Sequence, residues 1–210
     1  MKRLNIWFDF ANSPQVKFYA KIIHELKQQH NIIITCRPLA NTIELLELEG
    51  IEYSVVGKHY GVNRLKKVVG VFRRIILLYR FLKNKKVDVA ASHSSFYLPI
   101  VARFLGIRSI YINDNEHAAW NKIAIRFSKL ALFPEPLKEI AKYKNWHKAG
   151  KVEFYPGIKE GVYLWDFRVE EKTDKLFTIY IRTEPWNADY YKGRLNFMDD
   201  LIIQLSEKYL

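Results

Sequence analysis

An α/β fold built on a doubly wound parallel sheet is predicted from three observations. Short apolar runs have the length of strands, amphipathic stretches separate them, and polar clusters follow directly after the runs. Near-continuous apolar runs are what strands covered on both faces require, and right-handed helical crossovers supply that cover.

The elements follow in order. Residues 4–10 are β-branched and aromatic-rich and end at Asn12, Ser13 and Pro14, which predicts the first strand. Ser13 as a capping hydroxyl and Pro14 at the first helical position predict a helix carrying Phe18, Ile22, Ile23 and Leu26 on one face. Residues 32–36 predict the second strand, 40–49 a short helix stopped by Gly50, and 53–56 the third strand. A long helical pattern over 62–82 leads to a fourth strand at 87–92, and a fifth follows at 108–113. Further units fall at 130–133 and 152–155.

The polar stretch 165–175 breaks this alternation and predicts a linker. The predicted organisation is a Rossmann-like domain over 1–164, the linker, and the beginning of a second domain over 176–210. There, 177–182 predict a strand and 197–205 a helix. One strand and one helix cannot bury a sheet, so that domain is expected to be incomplete.

The composition is that of a folded globular chain, with 210 residues, 49% hydrophobic and 27% charged. Cys36, the single cysteine, has no partner for an internal disulfide, and residues 1–4 run into a strand pattern without a signal-peptide core, so a cytoplasmic location is expected. The strongest apolar run, Ile75 to Leu78, is bracketed by Arg73, Arg74 and Arg80, which argues against a membrane-spanning helix. A formal charge of +12 favours an anionic partner. Residues 64–86 concentrate it, with nine Lys and Arg and no acidic residue. Arg73, Arg74 and Arg80 are accordingly expected at an anionic membrane surface, the alternative being a solvated face on a helix packed against the sheet. No nucleic-acid-binding module is visible.

In doubly wound sheets ligands bind beyond the carboxyl ends of the strands, which selects the site candidates. They are Asp9, Asn12 and Ser13 after the first strand, Arg37 after the second, His59 after the third, Ser92, His93 and Ser94 after the fourth, and Asn113, Asp114, Asn115, Glu116 and His117 after the fifth. The first turn lacks Gly-x-Gly-x-x-Gly, which disfavours a dinucleotide enzyme. Asp9 reads either as a base or as a tether for the Asn12 loop. Ser92, His93 and Ser94 read either as a hydroxyl-binding and proton-exchanging cluster or as a helix cap with a packed histidine. The Asn113 to His117 run suits acid-base work or sugar-hydroxyl binding better than a metal, because its carboxylates lack a second ligand group at a set spacing. Cys36 reads as a buried strand-end residue.

At Asp9 to Pro14, Ser92 to Ser94, Asn113 to His117 and Arg182-Thr183-Glu184-Pro185-Trp186, the chain resembles a prokaryotic family catalogued as domain of unknown function 354. That family is similar to glycosyltransferase-B-type proteins, including lipid-linked N-acetylglucosaminyl transferases and UDP-N-acetylglucosamine 2-epimerases. The resemblance implies two facing Rossmann-like domains, of which this chain carries the N-terminal half and the start of the other. It implies Asp9, His93, Asp114, Glu116 and His117 as catalytic groups on the acceptor side, with Asn12, Asn113 and the neighbouring loops binding substrate, and Arg182, Glu184 and Trp186 opening the donor side. No cofactor or metal is expected; a nucleotide-sugar donor and a sugar or lipid-linked acceptor are. Where family members commonly carry a histidine after the first turn, this chain has Gln15, which cannot take a proton. The function implied is a glycosyltransferase of polysaccharide or glycolipid biosynthesis; the alternatives are a UDP-sugar 2-epimerase-like enzyme and a non-catalytic membrane-surface or scaffold module.

Overall fold

The computed structural model describes residues 2–58, 64–118, 120–148, 150–169, 179–182, 193 and 197–209. They fall into two compact units, 1–167 and 168–210.

The first unit runs β1 (Asn5–Phe10), α1 (Pro14–Leu26), β2 (Asn31–Cys36), α2 (Thr42–Leu48), β3 (Ser54–Val55), α3 (Arg64–Leu82), β4 (Val89–His93), α4 (Tyr97–Phe104), β5 (Arg108–Ile112), α5 (Asn121–Phe127), β6 (Leu130–Pro134), α6 (Ala141–Lys148), β7 (Val152–Tyr155) and α7 (Gly161–Leu164), with a single 3₁₀ turn at Glu135–Leu137. The seven strands form one sheet in the order β3-β2-β1-β4-β5-β6-β7, parallel throughout. The order reverses between β1 and β4, so a crevice opens at their carboxyl ends.

Alternation along β1 divides the core. Ile6, Phe8 and Phe10 pack with Val16, Phe18, Tyr19, Ile23 and Leu46 of α1 and α2 on one face. Trp7 packs with Leu78, Leu82, Leu98 and Val101 of α3 and α4 on the other, and Tyr111, Ala131 and Phe133 extend that face under α5 and α6. A buried indole N–H needs an acceptor, and that of Trp7 donates to Thr35 Oγ1 at 2.8 Å.

One local expectation changes. Ser13 makes no side-chain cap bond; the first turn of α1 is held by Gln15 instead. His30, between α1 and β2, is buried, its Nδ1 facing the Leu4 N–H at 3.4 Å.

The second unit contains α8 (Phe197–Tyr209), four residues longer than the helix expected at 197–205. Residues 179–182, the described part of the strand expected over 177–182, are not in a strand. Among the described residues no helix is long and apolar enough to cross a membrane.

Candidate active site at the carboxyl edge of the sheet

Four consecutive features build the rim of the crevice. The β1 to α1 turn is clamped from inside by Gln15, which is 2% exposed: its Oε1 accepts the N–H groups of Ala11 at 2.5 Å and Asn12 at 3.1 Å, and its Nε2 donates to the carbonyl of His93. Gln15 thus joins the two loops that flank the topological switch. A residue at this position that could not both donate and accept would free one loop from the other.

After β4 the chain turns through Ser94, which has a left-handed φ of +57° that non-glycine residues rarely adopt. The turn is stabilised because the Ser94 N–H donates to Ile112 O at 2.8 Å and its hydroxyl donates to Asn113 Oδ1 at 3.0 Å. His93 is 5% exposed, lies against the Phe18 ring with centroids 4.5 Å apart, and places Nδ1 3.2 Å from the Ser94 hydroxyl. The Ser94 proton is committed to Asn113, so the Nδ1–H tautomer, donating to Ser94, satisfies the pair. In the neutral ring Nε2 then carries the lone pair, and in the imidazolium it turns an N–H toward Asp114. It lies 3.3 Å from Asp114 Oδ1, within ion-pair range but off the alignment of a hydrogen bond, and is a buried nitrogen without a hydrogen-bond partner among the described residues.

Asp114 follows β5 and pairs through Oδ2 with Lys159 Nζ at 2.6 Å. Burial raises its carboxyl, but His93 and Lys159 outweigh that and hold it well below the usual carboxylate range. Burial works against the Lys159 charge in turn, and Asp114 reverses the effect and raises its ammonium. Tyr155, at the end of β7, has a buried hydroxyl without a partner among the described residues. Burial, with Asp114 and Glu160 adding to it, pushes that hydroxyl up to about 12. The phenol is therefore a neutral donor at physiological pH.

Other candidates prove structural. Asp9 is corrected from a catalytic group to a buried anchor: it is 0% exposed, and its oxygens accept from Thr35 Oγ1 at 2.7 Å, Ser95 Oγ at 2.7 Å and both terminal nitrogens of Arg74 at 2.8 and 2.9 Å. Arg74 is corrected from the membrane surface to the core. It is 1% exposed, donates through Nε to Val56 O and lies over the Tyr97 ring at 4.5 Å, on the sheet side of α3, whereas Arg73 is exposed, as is Arg80. Ser92 and Asn113 are corrected from substrate binding, since both are 0% exposed. Ser92 donates to Ser95 O. Asn113 accepts from the N–H groups of Asp114 and Asn115 and donates to Tyr111 and Asn121, which fixes the backbone that carries Asp114.

A family model described as protein of unknown function (DUF354) matches residues 4–209. The chain belongs to this family. Uncharacterized protein MJ0665 of Methanocaldococcus jannaschii is 34% identical over 221 residues, covering 99% of this DUF354 chain and 64% of its relative's length. This chain thus spans less than two thirds of that protein. Among solved structures, a UDP-N-acetylglucosamine 2-epimerase superposes with a TM-score of 0.58 at 15% identity, over 72% of this chain and 47% of its own. The Neisseria meningitidis UDP-GlcNAc 2-epimerase bound to UDP-GlcNAc gives 0.54 at 15%, over 72% and 46%. Acinetobacter baumannii MurG gives 0.53 at 17%, over 63% and 41%. These likenesses establish a Rossmann-like fold of the glycosyltransferase-B kind.

The remaining DUF354 candidates lie as follows. Asn12 is exposed, its Oδ1 accepting the N–H of Ser13. Arg37 donates to Ala11 O at 2.8 Å and so braces the first turn; burial lowers its guanidinium. Asn115 accepts from His117 N–H. Glu116 and His117 face each other at 3.5 Å, with His117 largely exposed. Among the described residues no three His, Cys, Asp or Glu side chains form a metal-binding group. Arg182 is exposed in the second unit, and His59, Glu184 and Trp186 lie outside the described residues. Lys159 and Tyr155 escape the sequence reading, whose strand-end candidates stop at the fifth strand. The signal that finds them is the same one, a position at or beyond a strand's carboxyl end.

Proposed function

We propose that this chain is the acceptor-side part of a glycosyltransferase-like, cytoplasmic protein of polysaccharide or glycolipid biosynthesis. Its reaction transfers a sugar from a nucleotide-sugar donor to an acceptor hydroxyl. The observation that carries the reading is the contact of His93 Nε2 with Asp114, itself paired to Lys159, at the carboxyl edge beside the switch point.

Asp114, held strongly ionised, is a poor proton acceptor and a good charge partner. The base is therefore His93. Its Nε2 takes the proton of the acceptor hydroxyl, and the oxygen bonds to the anomeric carbon as the bond from that carbon to the diphosphate breaks. The diphosphate leaves with the electron pair, and the new imidazolium lies against the Asp114 carboxylate. Ser94, exposed beside His93, would offer its hydroxyl to the sugar. Titration of UDP-N-acetylglucosamine by calorimetry into this chain and into the longer M. jannaschii relative tests the reading. Absence of heat in both would end it.

The superposition on UDP-GlcNAc 2-epimerases favours a second reading, epimerisation without any acceptor. Incubation of the longer relative with UDP-N-acetylglucosamine alone, followed by NMR, separates the two. A new 2-epimer indicates the epimerase.

The membrane part of the reading rests on α3. Its outer face exposes Val68, Val69, Phe72, Ile76 and Tyr79 at 40–64% of their area, with Arg73 and Arg80 along one side. An apolar stripe beside cations suits an anionic bilayer surface. Flotation with phosphatidylglycerol vesicles, lost in Phe72→Ser/Ile76→Ser, supports it, and unchanged flotation refutes it.

A further inference from the structure

At the opposite edge of the sheet the strands β5, β6 and β7 each begin at a basic residue or just after one: Arg108 is the first residue of β5, Lys129 precedes β6 and Lys151 precedes β7. Parallel pairing sets these positions side by side, since the Lys129 N–H donates to Ser109 O and the Ala131 N–H to Lys151 O, each at 2.9 Å. The last turns of α4 and α5 add Arg103 and Arg126. All five line one cleft of about 310 Å³ with Gly106, Ile107, Phe127 and Ser128, and no acidic side chain lines it. None of the five takes part in an ion pair among the described residues.

Cations in the last turn of a helix complement its dipole, which accounts for Arg103 and Arg126. It does not account for Arg108, Lys129 and Lys151, which sit at strand starts where no such field exists. Five like charges around one concavity repel within a Debye length of about 8–10 Å, a cost that an anion bound in the cleft would relieve. The cavity has the volume of a small-ligand site, and guanidinium groups recognise phosphate oxygens through paired donors.

We propose that this cleft binds a phosphate-bearing anion, separately from the site at the carboxyl edge. The five-residue β5 places the two roughly 15 Å apart along the strand. The shared chemistry is phosphate, whether free or as a lipid headgroup, and the proposal is independent of the transferase reading.

Two triple variants carry the test, Arg108→Gln/Lys129→Gln/Lys151→Gln in the cleft and Lys83→Gln/Lys85→Gln/Lys86→Gln on the exposed segment after α3, which removes the same charge. Circular dichroism confirms that both fold. Pyrophosphate is titrated by calorimetry at low ionic strength, and co-sedimentation compares phosphatidylglycerol with phosphatidylcholine vesicles. Loss of charge-assisted contacts is expected to weaken pyrophosphate binding at least about tenfold in the cleft variant and about twofold or less in the control. Selective loss of phosphatidylglycerol binding, without pyrophosphate binding by the parent chain, would identify the ligand as a headgroup. Equal losses in the two variants, or no binding of either probe by the parent chain, would overturn the proposal.

Discussion

Arg74 and Asp9, 65 residues apart in the chain, meet in a two-pronged ion pair that is closed to solvent. The pair ties α3 to β1 beneath the switch point, and Thr35 and Ser95 complete the acceptor capacity of the carboxylate. A buried pair of this kind contributes little relative to an apolar replacement, but losing one partner strands a charge in the core. Arg74→Leu is therefore expected to cost about 3–5 kcal/mol, whereas Arg73→Gln and Arg80→Gln should stay within about 0.5 kcal/mol of the parent. Urea unfolding midpoints decide; equal midpoints for all three would refute the assignment.

Gly57 lies beside the same arginine. Its φ is +88°, and a Cβ there would stand 3.2 Å from Arg74 Cγ. Gly57→Ala combines a left-handed backbone with a forced shift of the buried side chain and should cost about 1–3 kcal/mol. A thermal melt unchanged from the parent would contradict this.

Acid stability follows from Asp114. Its folded-state carboxyl titrates below the unfolded value of about 3.9, so its contribution is complete above that pH and is lost as pH falls through the folded value. Asp114→Asn is expected to flatten the stability curve on the acid side, below about pH 4, and to leave the neutral range parallel. Chemical denaturation from pH 2 to 7 measures it, and an undiminished acid slope in the variant would exclude Asp114 as its source.

Cys36 is buried, and desolvation, with Asp9 adding to it, pushes its thiol up to about 12. The thiolate is the reactive form, so the folded protein should resist a chromogenic disulfide reagent at neutral pH and react fully in urea. The protonated thiol is the form that suits the core, and that contribution is present below the unfolded pKa and lost as pH rises through about 12. Rapid labelling of the native protein would show an open strand end instead.

Gln15 works as donor and acceptor at once, so Gln15→Glu keeps its size and removes the donor facing the His93 carbonyl. The unsatisfied carbonyl and a buried carboxylate should cost about 1–3 kcal/mol, while the Ala11 and Asn12 N–H groups keep an acceptor. Urea unfolding midpoints measure it, and a midpoint equal to the parent's would show that the donor to the His93 carbonyl is dispensable.

The sequence by itself determined the alternation of strand and helix, the parallel class of the sheet and the edge at which a site would lie. Those features depend on short-range apolar period and on turn residues, which each segment carries whether or not it is folded. Which polar groups meet was decided only in three dimensions. Arg74 is indistinguishable from Arg73 and Arg80 in a run of basic residues, yet one step of 100° along α3 turns it onto Asp9 while its neighbour faces water. Lys159 and Tyr155 join His93 and Asp114 because parallel pairing carries β7 to the same rim, a consequence of strand order that no local pattern encodes. The five cations at the other edge converge for the same reason, from helix ends and strand starts scattered across 103–151, and charge count alone does not reveal that they share one cleft.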